Sequence, residues 1–261
     1  FGDSPNDLLN NLNEEHPLVV AVEYISKEES ADVAAGSASA KHGVTGILAV
    51  QGAFAEHAAM LIVLARVELL RAAEDFDDSI DRVILPGGES TTQGKLLRST
   101  GLFEPIAAHI AAGKPVFGTC AGMILLARKL DNDSNIYFGA LDASCDAMRT
   151  AVSLARSPPP PISALLLAIP PFWLSRANVA GFADSASGAG STTEISSDSI
   201  VLKDFPLVFI RGPFVAEVGP AATVETSVDG NVVAAPGKIL ATAFHPELTD
   251  DTRIHELFLS L

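Results

Sequence analysis

Three short segments carry the residue types of acyl-transfer chemistry. Gly118-Thr119-Cys120-Ala121-Gly122 places small residues two before and two after a cysteine, the spacing of a sharp strand-to-helix elbow that carries a nucleophile. Small flanks allow a strained, tight turn. The sulfur then projects beside a helix N-terminus, whose positive end favours the thiolate. Alone, Cys120 is open to a plainer reading as a small buried hydrophobe. A second segment, Phe244-His245-Pro246-Glu247-Leu248, supplies a base. In extended chain, residues two apart face one side, and Pro246 disfavours helical backbone at His245, so Glu247 can orient the imidazole. His42, His57, His109 and His255 have no such neighbour and read as structural. The third segment, Leu85-Pro86-Gly87-Gly88-Glu89-Ser90-Thr91-Thr92, exposes backbone N–H groups able to stabilise an oxyanion. Pro-Gly-Gly is also an ordinary loop, and the Gly-Lys-Ser/Thr ending of a phosphate cradle is missing. Together the three suit a Cys-His-Glu triad: Cys120, His245 and Glu247.

Such a triad needs strand ends gathered on one side of a sheet. The apolar run Val44 to Val50 ends at Gln51-Gly52 and reads as a buried strand, followed by a helix from Glu56 to Leu70. Arg82 to Leu85 forms a second strand, with a helix capped by hydroxyl side chains after Ser90. Gly101 to Ala112 is an amphipathic helix, Lys114 to Gly118 a strand, and Met123 to Leu130 an apolar helix. This alternation predicts an α/β fold, a mainly parallel three-layer sheet with helices on both faces and ligands at the strands' carboxyl ends. Leu207 to Ile210, Thr223 to Ser227, Val232 to Ala235 and Ile239 to Phe244 read as later strands, and Asp251 to Leu261 as a closing helix. Residues 1–42 read as an N-terminal extension with a linker-like Ala31 to Ala40. Between about 150 and 200, neither helical nor strand periodicity holds, which predicts a flexible, irregular insertion.

Composition narrows the partners. With 17 Lys+Arg against 32 Asp+Glu, the net charge is −15, which opposes nucleic acid binding. The longest apolar stretch, Ile162 to Leu174, is broken by Pro170 and Pro171 and is too short to span a bilayer. The acidic opening residues, Asp3, Asp7, Glu14 and Glu15, have the wrong sign for a signal peptide. Two cysteines, Cys120 and Cys145, make no disulfide framework, so a reducing, cytoplasmic setting is expected.

With these motifs in place, the chain resembles the class I triad glutamine amidotransferases, and among them the glutaminase subunit of pyridoxal 5'-phosphate synthase. The resemblance rests on Gly46 to His57 (GILAVQGAFAEH), LPGGESTT from Leu85, GLFEP from Gly101, GKPVFGTCAGMILL from Gly113, VFIR from Val208 and FHPELTDD from Phe244. It implies Cys120 as nucleophile, His245 as base and Glu247 as its orienting carboxylate. Gly88, Glu89, Ser90, Ile210 and Arg211 would contact L-glutamine, with Gly88 and Ala121 supplying oxyanion donors. Gln51 falls on the family's complex-dependent loop. No metal or cofactor is implied. The partner is a synthase subunit built as a (β/α)₈ barrel, which receives the ammonia. Residues 43–261 would form the glutaminase domain.

One departure stands out. Where the family has Arg-Asn-x-Phe-Gly-x-Gln, this chain has Ser144-Cys145-Asp146-Ala147-Met148-Arg149-Thr150, leaving Arg149 as a weak substitute for a glutamine-binding arginine. The stretch that follows is either an insertion or a mistranslated segment such as a retained intron. Two rivals to the glutaminase of this complex remain: a docking subunit without catalysis, and a glutaminase serving another synthase or a triad peptidase on a related fold. The GGES and LTDD residues argue against both the other synthase and the peptidase.

Overall fold

The computed structural model describes residues 43–131, 133–146, 165–167, 193–195, 200–202, 205–210, 213–220, 222–227, 231–235 and 238–261. The expected extension at 1–42, with its Ala31 to Ala40 linker, and most of the expected insertion lie outside these residues.

The core is one large mixed sheet. Five strands, β1 (Val44–Leu48), β2 (Arg66–Leu70), β3 (Ile80–Leu85), β4 (Val116–Thr119) and β13 (Ile239–Thr242), form its parallel half in the order β2-β1-β3-β4-β13. The sheet continues through β12 (Asn231–Ala235), β10 (Phe214–Val218), β6 (Leu141–Asp146) and β5 (Ala127–Leu130), with β11 (Thr223–Ser227) paired to β12. Here the pairings of β13 with β12, β12 with β10 and β10 with β6 are antiparallel, whereas β5 and β6 are parallel. The parallel half is buried because helices pack on it: α1 (Phe54–Leu61), α2 (Ser90–Ser99), α3 (Phe103–Ala111), α4 (Ala121–Leu126) and α5 (Arg253–Leu259). Every residue of β1 and β4 is buried, as expected for central strands of a sheet covered by helices. Phe117, Phe244, Phe258, Ile47, Leu48 and Leu85 are fully buried, each stabilising the fold by roughly 1.5–3 kcal/mol.

Several sequence-based boundaries shift. The helix expected over Glu56 to Leu70 stops at Leu61, and Arg66–Leu70 is the edge strand β2. The helix expected to Leu130 ends at Leu126, after which Ala127–Leu130 pairs with β6. Both runs are mostly apolar, and such a run does not distinguish buried helix from buried strand. Leu207 to Ile210 is not a strand; it contributes instead the Val208 carbonyl, which accepts from His245 N at 2.8 Å. Within the stretch expected to be irregular, β7 (Leu165–Leu167), β8 (Thr193–Ile195) and β9 (Ile200–Leu202) form a small antiparallel sheet in the order β7-β9-β8.

Candidate active site

Because β1, β3, β4 and β13 run parallel side by side, the segments that follow them emerge at one edge of the sheet. These are the loops holding Gln51, Gly87-Gly88, Cys120 and His245, gathered where ligands bind in open α/β sheets. Leu85 is level with Gly118, and Thr119 with Thr242.

Cys120 follows β4 directly and caps α4. Its φ of 48° makes it the one non-glycine residue with positive φ among those described, a conformation that costs an L-residue roughly 1–3 kcal/mol. The turn is held by Cys120 N donating to Thr242 O at 2.8 Å. The flanking glycines are needed for space. A Cβ on Gly118 would lie 2.7 Å from the Gly122 carbonyl carbon, and one on Gly122 would lie 1.9 Å from Leu85 O. The helix therefore leaves the strand against bare backbone. Ala121 opens α4, so its N–H belongs to the first turn, where no intrahelical carbonyl is available.

His245 meets Cys120 through a side-chain hydrogen bond, and its Nδ1 lies 2.7 Å from Glu247 Oε1. All three residues are buried. The His–Glu pairing differs from the expected extended geometry. β13 ends at Thr242, and Pro246–Leu248 form a 3-10 turn that brings the carboxylate back under the ring. Burial by itself lowers the His245 pKa, but hydrogen bonds to Cys120 and Glu247 and their charges outweigh it and raise it to about 10. The ring also packs on the glycine loop: a Cβ on Gly87 would lie 2.4 Å from His245 Cε1. The imidazole thus touches both the nucleophile and the twin-glycine turn.

The glycine loop is tied to the loop after β1. Gly87 O accepts from Ala53 N at 3.0 Å, and Gln51 Oε1 accepts from Glu89 N at 3.0 Å. Gln93, fully buried, donates to both Gln51 O and Pro86 O. Gln51 Oε1 lies where a Gly88 side chain would begin, 2.5 Å from the Cβ position. Glu89 rather than Ser90 caps α2, its carboxylate accepting from Thr91 N and Thr92 N. The Thr92 hydroxyl above all, together with these amides, holds its pKa low against the opposing effect of burial. Gly88 and Glu89 are exposed at the mouth and Ser90 is half-buried. Ile210 is 61% exposed, two residues beyond the carbonyl that anchors His245. Arg211 and Arg149 lie outside the described residues.

Cys145, the other thiol, is buried in β6, where burial and then Asp131 push its pKa up to about 12. It is inert packing. His109 and His255 are buried and neutral, as a structural reading expects, whereas His42 lies outside the described residues. His57 was also expected to be structural, yet its Nε2 stands 3.5 Å from Glu247 Oε2.

A thiol at a strained elbow, a histidine and a carboxylate form the nucleophile–base–orienter arrangement of a cysteine hydrolase. A sequence model of the SNO glutamine amidotransferase family matches residues 47–151 and 182–261. The chain belongs to the SNO glutamine amidotransferase family. Among its relatives, the pyridoxal 5'-phosphate synthase subunit PdxT of Bifidobacterium adolescentis is 68% identical over 230 residues, covering 84% of this chain and all of that protein. PdxT of Bifidobacterium longum is 64% identical over 220 residues, with the same coverage. A solved glutamine amidotransferase structure superposes with a TM-score of 0.60 at 30% identity, covering 84% of this chain and 99% of the other. The SNO match passes through Ser144 to Thr150 and leaves out 152–181, a narrower stretch than the 150–200 that motif reading marks off.

Proposed function

We propose that the chain hydrolyses L-glutamine to glutamate and ammonia as the glutaminase subunit of a pyridoxal 5'-phosphate synthase. The observation that carries this reading is the contact of Cys120 with a His245 that Glu247 orients, beside the Gly87-Gly88 turn. The Cys120 sulfur, its proton already held by His245, attacks the carboxamide carbon of glutamine. The tetrahedral oxyanion is held by backbone N–H groups of Gly88 and Ala121. His245 returns the proton to the departing nitrogen, releasing ammonia and leaving a glutamyl thioester. Water, deprotonated by His245, then cleaves the thioester and regenerates the thiol. Glu89, Ser90, Ile210 and Arg211 contact the substrate, Arg149 is the candidate for the missing arginine, and Gln51 belongs to a loop that responds to the partner. That partner is the synthase barrel subunit, which consumes the ammonia. Two PdxT relatives whose full length is covered support this assignment. The catalytic unit is residues 43–261, and the 152–181 segment is dispensable to it.

Glutamate release from glutamine, measured with the synthase barrel present, is expected for the full chain and for a chain lacking 152–181, and is abolished by Cys120→Ala. Partner binding without any glutamate release by the full chain would favour the docking-subunit reading instead.

A further inference from the structure

Behind the triad lies a buried imidazole pair that the steps above leave unused. His57, on α1, and His255, on α5, are both fully buried, with His57 Nδ1 2.9 Å from His255 Nε2. On its other side, His57 Nε2 is 3.2 Å from Thr119 Oγ1 and 3.5 Å from Glu247 Oε2. Glu247 uses Oε1 for His245, while Oε2 is buried with no hydrogen-bond partner among the described residues. A carboxylate oxygen shut away from water calls for a donor.

We propose that His57 is a positioning residue for the triad, presenting an Nε2–H to the free oxygen of Glu247, and that His255 fixes the tautomer that allows it. The inference rests on the glutaminase reading above. Two tautomer patterns fit the 2.9 Å contact. In one, His255 donates through Nε2–H to His57 Nδ1, and His57 Nε2–H faces Thr119 Oγ1 and Glu247 Oε2. In the other, His57 donates to His255 and turns an Nε2 lone pair towards an anionic oxygen 3.5 Å away. The first meets the need of the carboxylate, whereas the second sets lone pair against lone pair.

The surroundings keep the pair uncharged. Phe117 packs edge-on against both rings, with centroids 5.9 Å away, and Phe258 packs on Phe117. Burial, then the neighbouring His255 and His245, holds the His57 pKa well below its ordinary value, and burial takes His255 to about 3. The groups facing His57 are Thr119 from β4, His255 from α5, and Glu247 and His245 from the segment after β13. A neutral donor suits this place. It can hold Oε2 while leaving the carboxylate's charge to the His245 imidazolium, whereas a protonated His57 would compete for that charge.

His57→Leu removes the donor at similar bulk, and His57→Gln returns an amide N–H near the Nε2 position. With the synthase barrel present, His57→Leu should lower kcat roughly tenfold to a hundredfold, a part of what oriented general acid–base catalysis contributes. KM should be unchanged, and His57→Gln should recover most of the loss. In the histidine-¹⁵N-labelled wild-type chain, long-range ¹⁵N–¹H correlation spectra should show both His57 and His255 as neutral Nε2–H tautomers. An Nδ1–H tautomer at His57 would overturn the proposal even if the leucine variant fails to fold. So would unchanged kcat in a folded His57→Leu protein whose Cys120 is still alkylated by a glutamine-like chloroketone. If wild-type Cys120 resists that reagent, the glutaminase reading falls and takes the positioning role with it.

Discussion

Cys120 pairs the strain of a positive φ with a burial that leaves it 6% exposed, so its backbone and its side chain can be tested separately. Glycine relieves a left-handed backbone that alanine does not. Cys120→Gly is therefore expected to unfold in urea with a stability about 1 kcal/mol above Cys120→Ala, with neither variant turning over glutamine. A less stable glycine variant would mean that the turn is unstrained. The elbow was legible in the sequence because its demands are local: two glycines at fixed spacing, each facing backbone. The part played by His57 was not, since its partner His255 lies 198 positions away and only the packing of α1 against α5 and Phe117 joins them. The motif placed His245 beside Glu247, but not the 3-10 turn that makes the contact.

The packing of α4 on β3 has a sharp tolerance. A methyl on Gly122 would meet Leu85 O at 1.9 Å, and neither strand nor helix can yield without moving Cys120. Gly122→Ala should therefore cost roughly 3 kcal/mol of stability, read as a lower urea midpoint at constant slope. It should also depress turnover more than KM. Strand ends that carry glycine or a motif were legible as elements. Those hidden in long apolar runs were not: β2 after α1, and β5 after α4, are set by what they pair with, namely β1 and β6. β10, one residue past Pro213, gave no recognisable signal, and Leu207 to Ile210, apolar enough for a strand, serves through a backbone carbonyl instead.

Across the whole molecule the parallel half of the sheet holds the site, and the ionisation of its buried histidines links stability to pH. His255 at about 3 and His109 at about 4, both lowered chiefly by burial, sit below the unfolded value of about 6.5. The unfolded chain takes up their protons first, so their contribution is complete above about pH 6.5 and is lost as pH falls towards 4 and 3. His245 has the opposite sign: with its pKa raised to about 10, its contribution is complete below about pH 6.5 and is lost as pH rises towards 10. Urea unfolding should show maximal stability near pH 6.5. His255→Leu should make the acid limb shallower by up to about 1.4 kcal/mol per pH unit, and His245→Gln should flatten the alkaline limb. An unchanged acid limb in His255→Leu would contradict a neutral, buried imidazole there. The net charge of −15 bears on partner choice rather than on this arrangement.

The central claim is that position 120 carries the nucleophile for a glutamine carboxamide. Peptide mass analysis after exposing the chain and its synthase barrel to a glutamine-like chloroketone tests it directly. The account predicts one equivalent of adduct on Cys120, blocked by excess glutamine, and none on Cys145, whose thiol burial pushes up to about 12. An unmodified Cys120, or an adduct on Cys145 alone, would contradict it.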